Sequence, residues 1–127
     1  MTVLNPTKRK RLGVYYTPVP VVSYIIRSVH KILKEDFAKS DGLADKTVLF
    51  LDPSAGTLTF PSVAVYQMID ELKQKGKDGI FNALVSEHIL KNFYAFEILI
   101  APYAIGHLKI SMILEDLGYK MIDSSSI

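Results

Sequence analysis

The chain has 127 residues and a mass of 14.2 kDa, which suits one compact domain or part of a larger one. Hydrophobic residues make up 49% and charged residues 22%, a composition that excludes a disordered tail or a collagen-like rod. The formal net charge of +2 does not by itself indicate a nucleic-acid partner, and the lack of cysteine excludes disulfides, thiolate zinc sites and cysteine nucleophiles.

Residues 1–13 contain a basic cluster, Lys8 to Arg11, ahead of Gly13, and few residues that a core would bury. This composition predicts an exposed basic N-terminal arm. No apolar run in the chain approaches the ~18 residues of a membrane helix, so we expect no membrane partner. Together with the absence of cysteine, this pattern favours a cytoplasmic location.

Apolar residues at three- and four-residue spacing predict an amphipathic helix from Pro18 to Phe37. Residues 47–51 form an unbroken apolar run that ends at Asp52-Pro53, which predicts a strand buried on both faces. A small-residue loop, Ser54 to Thr57, then leads into a second predicted helix that runs from Pro61 to Gly76.

Helices and strands also alternate in the second half of the chain. A short helix is predicted over 80–89, a strand over 92–97 that ends in an acid, a helix over 101–117, and the start of a third strand at 119–122. Alternating helices and strands predict an α/β fold with a parallel sheet flanked by helices on both faces.

The carboxyl ends of the two predicted strands each carry an acid, Asp52 and Glu97. Ligands of parallel sheets bind at this edge, where a carboxylate accepts both hydroxyls of a ribose. The glycine fingerprint of dinucleotide sites and the P-loop lysine are both absent, which favours a nucleoside ligand without a pyrophosphate, such as S-adenosylmethionine. The alternative is that both acids cap helices or face solvent.

Three blocks in this order resemble the N6-adenine DNA methyltransferases of single-chain restriction–modification enzymes, of the type IIG or type ISP kind. The blocks are Tyr15-Tyr16-Thr17-Pro18 with Val21 to Ile25, then Asp52 to Phe60, then Phe96 to Lys109. The resemblance implies that residues 14–127 are the N-terminal, cofactor-binding part of a Rossmann-like methyltransferase domain, with S-adenosylmethionine as the cofactor and DNA as the partner of the complete enzyme.

The resemblance also implies a role for each matching position. Thr17, with Tyr16 and Pro18, is expected to meet the methionine carboxylate, and Phe60 to pack near the loop. Glu97 is expected to bind the ribose, and Ile98 to lie against the adenine. The amino-acid portion is expected to be surrounded by Asp52, Ser54, Ala55, Gly56 and Thr57.

Two departures from the family pattern affect these expectations. Leu58 stands where the family loop has a second glycine, so its side chain is expected to clash with the ligand or with a backbone conformation typical of glycine. The catalytic tetrapeptide of Asn or Asp, two prolines and an aromatic residue is absent, and the one Asn-Pro pair is Asn5-Pro6. This chain alone is therefore expected to have no catalytic residues and to be inactive.

Other readings remain open. The chain is alternatively a non-catalytic, degenerate or truncated interaction module that self-associates through an incomplete sheet, or part of a methyltransferase that acts on protein glutamine or RNA. His30, His88 and His107 lack metal-ligand spacing and are expected to be surface or core residues, so no metal is assigned.

Overall fold

The computed structural model describes residues 16–119. In chain order the elements are α1 (Val19–Glu35), β1 (Phe50–Asp52), α2 (Thr59–Gln74), α3 (Phe81–Leu84), α4 (Leu90–Asn92), β2 (Phe93–Ala95) and α5 (Ile100–Asp116). A π-helical turn, Val85–Ile89, joins α3 to α4, and short 3₁₀ turns lie at Gly42–Ala44 and Asp78–Ile80. The basic arm lies outside the described residues. So does the predicted third strand, except for Tyr119, which belongs to neither a helix nor a strand.

β1 and β2 form a two-stranded parallel sheet. Phe50 pairs with Phe93 in the register, and their rings stack with centroids 4.7 Å apart. Since α2 and the segment from α3 to α4 connect the strands, the described fold is mixed α/β with a parallel sheet, as the order of patterns predicts. Within residues 16–119 no helix is long and apolar enough to cross a membrane.

The first strand is shorter and less buried than the sequence predicts. Residues 47–49 lie outside β1, and the side chains of Leu49 and Leu51 are 70% and 60% exposed. Phe50 and Phe93 pack against the core, whereas Leu51 and its register partner Tyr94 point to the opposite face. In the part of the chain that the structure describes, the sheet is therefore buried mainly on one face, and the prediction of a strand buried on both faces is wrong.

The core lies mainly between α1, α2 and the segment from α3 to α4, with two residues from α5. Pro18 begins α1: its carbonyl accepts hydrogen bonds from the backbone N–H groups of Val21 and Val22, at 3.0 and 3.1 Å. Apolar side chains on one face of each helix then meet in one cluster, as the periodicity of α1 predicts. The cluster includes Val22, Ile26, Leu43, Val65, Met68, Leu72, Phe81, Leu84, Val85, Ile110 and Leu114.

Two buried histidines hold the turn at Leu43 from both sides. The Leu43 N–H donates to His30 Nδ1 at 3.1 Å, and His88 Nε2 donates to the Leu43 carbonyl at 2.8 Å. Asn92 donates from Nδ2 to His88 Nδ1 at 2.9 Å, so these partners fix each imidazole as the tautomer that carries its proton on Nε2. Both histidines are core residues with structural partners.

Glu71 of α2 completes this arrangement, which we call the clasp: His30, Leu43, Glu71 and His88. The Glu71 side chain is 4% exposed and accepts from His30 Nε2 at 3.3 Å, from Lys34 Nζ at 2.6 Å and from Lys75 Nζ at 3.3 Å. Burial by itself raises the pKa of this carboxyl, but the hydrogen bonds from Lys34, His30 and Lys75 outweigh that effect and lower the pKa to about 2. The clasp thus joins α1, α2, the 3₁₀ turn and the π-helical turn.

Candidate functional site

A cavity of about 350 Å³ opens beyond the carboxyl ends of β1 and β2. Its walls come from the chain before α1, the loop after β1, the first turn of α2, the chain after β2 and the first turn of α5. The lining residues are Tyr16, Thr17, Pro53, Ser54, Ala55, Gly56, Thr59, Phe60, Phe96, Glu97, Ile98, Leu99 and Pro102. This is the edge of a parallel sheet at which ligands bind.

Backbone hydrogen bonds continue the pairing of the strands into the two loops that border the cavity. The Phe96 N–H donates to the Asp52 carbonyl at 3.0 Å, and the Ala55 N–H donates to the Phe96 carbonyl at 2.9 Å. Gly56 then has a φ of +56°, in the left-handed region that glycine adopts at little cost. The loop after β1 is thereby held against the chain that follows β2.

Glu97 connects the two loops through its side chain. Oε2 accepts from the Gly56 N–H at 2.8 Å, and Oε1 accepts from the Leu99 N–H at 3.0 Å. An ionised carboxylate has about four acceptor sites, so each oxygen keeps capacity for one further donor. Glu97 is therefore both a structural link and a half-used acceptor at the cavity wall.

Eight of the residues named from the sequence line this one cavity, although they come from three separate blocks of the chain. They are Tyr16, Thr17, Ser54, Ala55, Gly56, Phe60, Glu97 and Ile98. Ile98 is 95% exposed, so its side chain forms part of the cavity rim without a packing role in the core.

Asp52 does not line the cavity, contrary to the expectation that it shares a cleft with Glu97. Its Oδ1 accepts from the Ser54 N–H at 3.1 Å, which holds this oxygen in a local turn at the start of the loop after β1. Asp52 instead lines a separate groove between α1 and β1, beside Ile25 and Val29. Its Oδ2 is buried and has no hydrogen-bond partner among the residues that the structure describes.

Pro18 and Thr57 are also outside the cavity lining. Pro18 is exposed and caps α1, which accounts for its place after Thr17. Thr57 is half-buried, and its backbone faces Gly106 of α5. The expectation that these two residues contact the ligand is therefore not supported by the cavity lining.

Leu58 adopts the backbone conformation that glycine favours, with φ of 63° and ψ of 38°. Its side chain does not enter the larger cavity but lines a smaller, mainly apolar cavity of about 200 Å³, which also has Ala55, Gly56, Phe96 and Glu97 in its wall. The expected conflict at Leu58 is therefore one of backbone conformation, and the side chain leaves the larger cavity free.

Five lining residues were not singled out from the sequence: Pro53, Thr59, Phe96, Leu99 and Pro102. Each is next to, or within a few residues of, a position that was named. All five lie within the blocks Asp52 to Phe60 and Phe96 to Lys109. The continuous blocks, and not only their matched positions, are therefore the signal in the sequence that indicates them.

Glu97 is the single charged side chain among the described residues that line the cavity; hydroxyl groups come from Tyr16, Thr17, Ser54 and Thr59. Phosphate sites normally pair the anion with Arg or Lys side chains. The lining contributed by residues 16–119 provides no such cation. Over residues 16–119 no group of three or more His, Asp or Glu side chains is placed to hold a metal ion.

Comparison with protein-family models, with curated proteins and with solved structures finds no match to this chain.

Proposed function

We propose that this chain is the S-adenosylmethionine-binding part of a Rossmann-like methyltransferase domain whose complete form methylates adenine N6 in DNA. The observation that carries the proposal is the convergence of three motif blocks on one cavity. Tyr16 and Thr17, the loop from Ser54 to Gly56, and Glu97 with Ile98 are far apart in sequence, yet they line the same space.

The chemistry of the lining fits this cofactor. A ribose offers two hydroxyl donors, and Glu97 keeps one free acceptor site on each oxygen after its bonds to Gly56 and Leu99. The exposed Ile98 offers an apolar surface to a flat base. The volume of about 350 Å³ lies at the lower end of the range for small-molecule sites, ~300–1,000 Å³.

When bound, S-adenosylmethionine supplies an electrophilic methyl group. The residues of this chain contribute binding and orientation: Glu97 holds the ribose, the loop at Ala55 and Gly56 brings its backbone close to the ligand, and Tyr16 with Thr17 closes the side next to α1. Because the catalytic tetrapeptide does not occur in the 127 residues, we expect this chain to bind the cofactor and not to transfer the methyl group by itself.

Calorimetric titration with S-adenosylmethionine tests the proposal, and we expect saturable binding in the micromolar range. Glu97→Gln is expected to weaken binding by about 1 to 3 kcal/mol, because a charged acceptor is lost. Asp52→Asn is the matched control: it makes the same acid-to-amide change outside the cavity, and its affinity should stay within about twofold of wild type. Equal effects of the two changes would contradict the role of Glu97.

Ile98→Asp separates binding from folding. The Ile98 side chain is 95% exposed, so the change should leave the unfolding midpoint in place while it weakens S-adenosylmethionine binding about tenfold or more. Ile100→Asp is the control, since Ile100 is 84% exposed and outside the cavity lining. ATP, which has a triphosphate, is expected to bind far more weakly than S-adenosylmethionine.

A second candidate function is that of an interaction module, which the exposed apolar side chains of the sheet favour. Leu49, Leu51, Tyr94 and Phe96 are 49% to 70% exposed. Such a module would self-associate through the sheet and would bind no S-adenosylmethionine. Sedimentation at several concentrations, with and without S-adenosylmethionine, distinguishes it from the first proposal.

A methyltransferase for protein glutamine or RNA would share the cofactor site and differ in the substrate that its complete form methylates.

A further inference from the structure

Leu58 is fixed in its left-handed conformation by its neighbours in the chain. Its N–H donates to the Ala55 carbonyl at 2.9 Å, and its own carbonyl accepts from the backbone N–H of Ser62 at 2.9 Å and from Ser62 Oγ at 2.5 Å. A leucine rarely adopts such a conformation, and it persists only where the surroundings determine it. The conformation sends the side chain toward α5 and away from the larger cavity.

The Leu58 side chain meets bare backbone at Gly106 of α5. A Cβ atom placed at Gly106 would lie 2.9 Å from Leu58 Cγ and 3.2 Å from Cδ1, and 3.3 Å from the carbonyl carbon of Thr57. The first of these separations is shorter than packed carbon atoms tolerate, and the third involves backbone that cannot rotate away. Gly106 is buried, so the absence of a side chain there permits the loop to approach α5 this closely.

This contact lies behind the wall of the larger cavity. The loop that ends at Leu58 provides Ala55 and Gly56 to the lining, and the segment that begins α5 provides Leu99 and Pro102. Glu97 joins the same two segments on the cavity side, through its bonds to Gly56 and Leu99. The distance between the walls therefore depends on the backbone bonds of Phe96 to Asp52 and Ala55, on the Glu97 link and on this close packing contact.

We propose that Leu58 and Gly106 are a pair of positioning residues that sets the width of the cavity and, through it, the affinity for the ligand. The inference rests on the proposed function for the identity of the ligand, S-adenosylmethionine. It goes beyond that proposal because neither residue lines the larger cavity.

The test is a set of variants, Gly106→Ala, Leu58→Ala and the double variant, measured by calorimetry with S-adenosylmethionine. Gly106→Ala should weaken binding about tenfold, because the added methyl group pushes the loop off α5. Adding Leu58→Ala removes Cγ and Cδ1, the two closest contacts, and leaves only the 3.3 Å separation from Thr57, so the double variant should bind at least fivefold more tightly than Gly106→Ala. Gly79→Ala is the matched control, since no atom lies within 4 Å of a Cβ at Gly79 and its φ is not positive.

A rescue of affinity by the second substitution is a result that general destabilisation does not produce, since Leu58→Ala by itself removes packing. The proposal is overturned if Gly106→Ala binds like Gly79→Ala, or if the double variant is no better than Gly106→Ala.

Amide spectra of the ligand-free variants separate this inference from the proposed function. Gly106→Ala should shift the amide signals of Gly56 and Leu99, and Leu58→Ala in the same chain should return them toward wild type. If the wild-type chain binds no S-adenosylmethionine while this pattern is seen, the proposed function fails and the positioning role stands. Unmoved Gly56 and Leu99 signals in Gly106→Ala would overturn the positioning role whatever the ligand.

Discussion

The clasp and the cavity at the strand ends use acidic side chains in opposite ways. In the clasp, Glu71 is buried and has three donors from His30, Lys34 and Lys75. At the cavity, Glu97 has one donor on each oxygen, and both donors are backbone N–H groups of the two segments that the carboxylate joins. A carboxylate that is fully used inside the protein stabilises the fold, whereas one with free acceptor sites at a cavity wall is available to a ligand.

The largest expected effect comes from removing the acid of the clasp. Glu71→Ala leaves the buried Nε2–H of His30 without its acceptor and removes the carboxylate that Lys34 and Lys75 share, so we expect a loss of about 3–5 kcal/mol in the free energy of unfolding. Urea denaturation measures this loss. Glu35→Ala is the control, because Glu35 is exposed and its one ion pair within residues 16–119 is with Lys31 at 4.0 Å; its effect should be below about 0.5 kcal/mol. Similar losses in both variants would contradict the role of the clasp.

The second-largest effect on the free energy of unfolding is expected from lowering the pH, which acts on Glu71 of the clasp. The pKa of Glu71 is about 2 in the folded chain against an ordinary 4.5, so the unfolded chain binds a proton more readily between these values. The stability that Glu71 contributes is fully present above pH 4.5 and is lost as pH falls toward 2, a loss of about 3 kcal/mol. Denaturation from pH 6 to pH 2.5 should show a smaller decrease in Glu71→Gln than in wild type. Equal slopes would show that other carboxyls carry the acid sensitivity.

His88→Ala should have an intermediate effect. It removes the donor to the Leu43 carbonyl and the acceptor for Asn92, and it leaves space beside the Phe93 ring, so we expect a loss of about 2–3 kcal/mol. His107→Ala offers a comparison on α5, where the ring is only half-buried, and should cost less. A larger loss for His107 in chemical denaturation would show that the described packing around His88 is not what stabilises this region.

The smallest expected effect on stability is at the exposed face of the sheet. Leu51→Glu changes a side chain that is 60% exposed, so the unfolding free energy should move by less than about 0.5 kcal/mol. If the chain self-associates through this face, the same change should shift sedimentation toward the monomer. Unchanged association would place the contact elsewhere.

Local patterns predicted the helices well and the strands less well. The periodicity of residues 21–37 reflects a real buried stripe, so α1 begins and ends within about two residues of its expected limits. The run at 47–51 has the composition of a buried strand, but burial depends on what covers each face, and Leu49 and Leu51 are exposed in the described fold. Composition alone does not contain that information.

The candidate site was likewise predicted only in part from the sequence. The resemblance named eight residues that share one cavity, and those that follow β1 and β2 meet there because strand ends in a parallel sheet lie at one edge. It did not predict that Asp52 lies outside this cavity and lines the groove beside α1 instead, because side-chain placement is not contained in the motif. Nor did it predict that Leu58 packs against Gly106, or that His30 and His88 form hydrogen bonds with Leu43. These contacts join residues that are distant in sequence.

The most direct test of cofactor binding at the strand ends is a titration of the ¹⁵N-labelled chain with S-adenosylmethionine, monitored by amide chemical shifts. If the cofactor binds in the cavity at the strand ends, we expect saturable shifts at Gly56, Ile98 and Leu99, and little change at Ile25 and Val29 in the groove beside Asp52. Shifts confined to that groove, or no shifts at millimolar ligand, would contradict it.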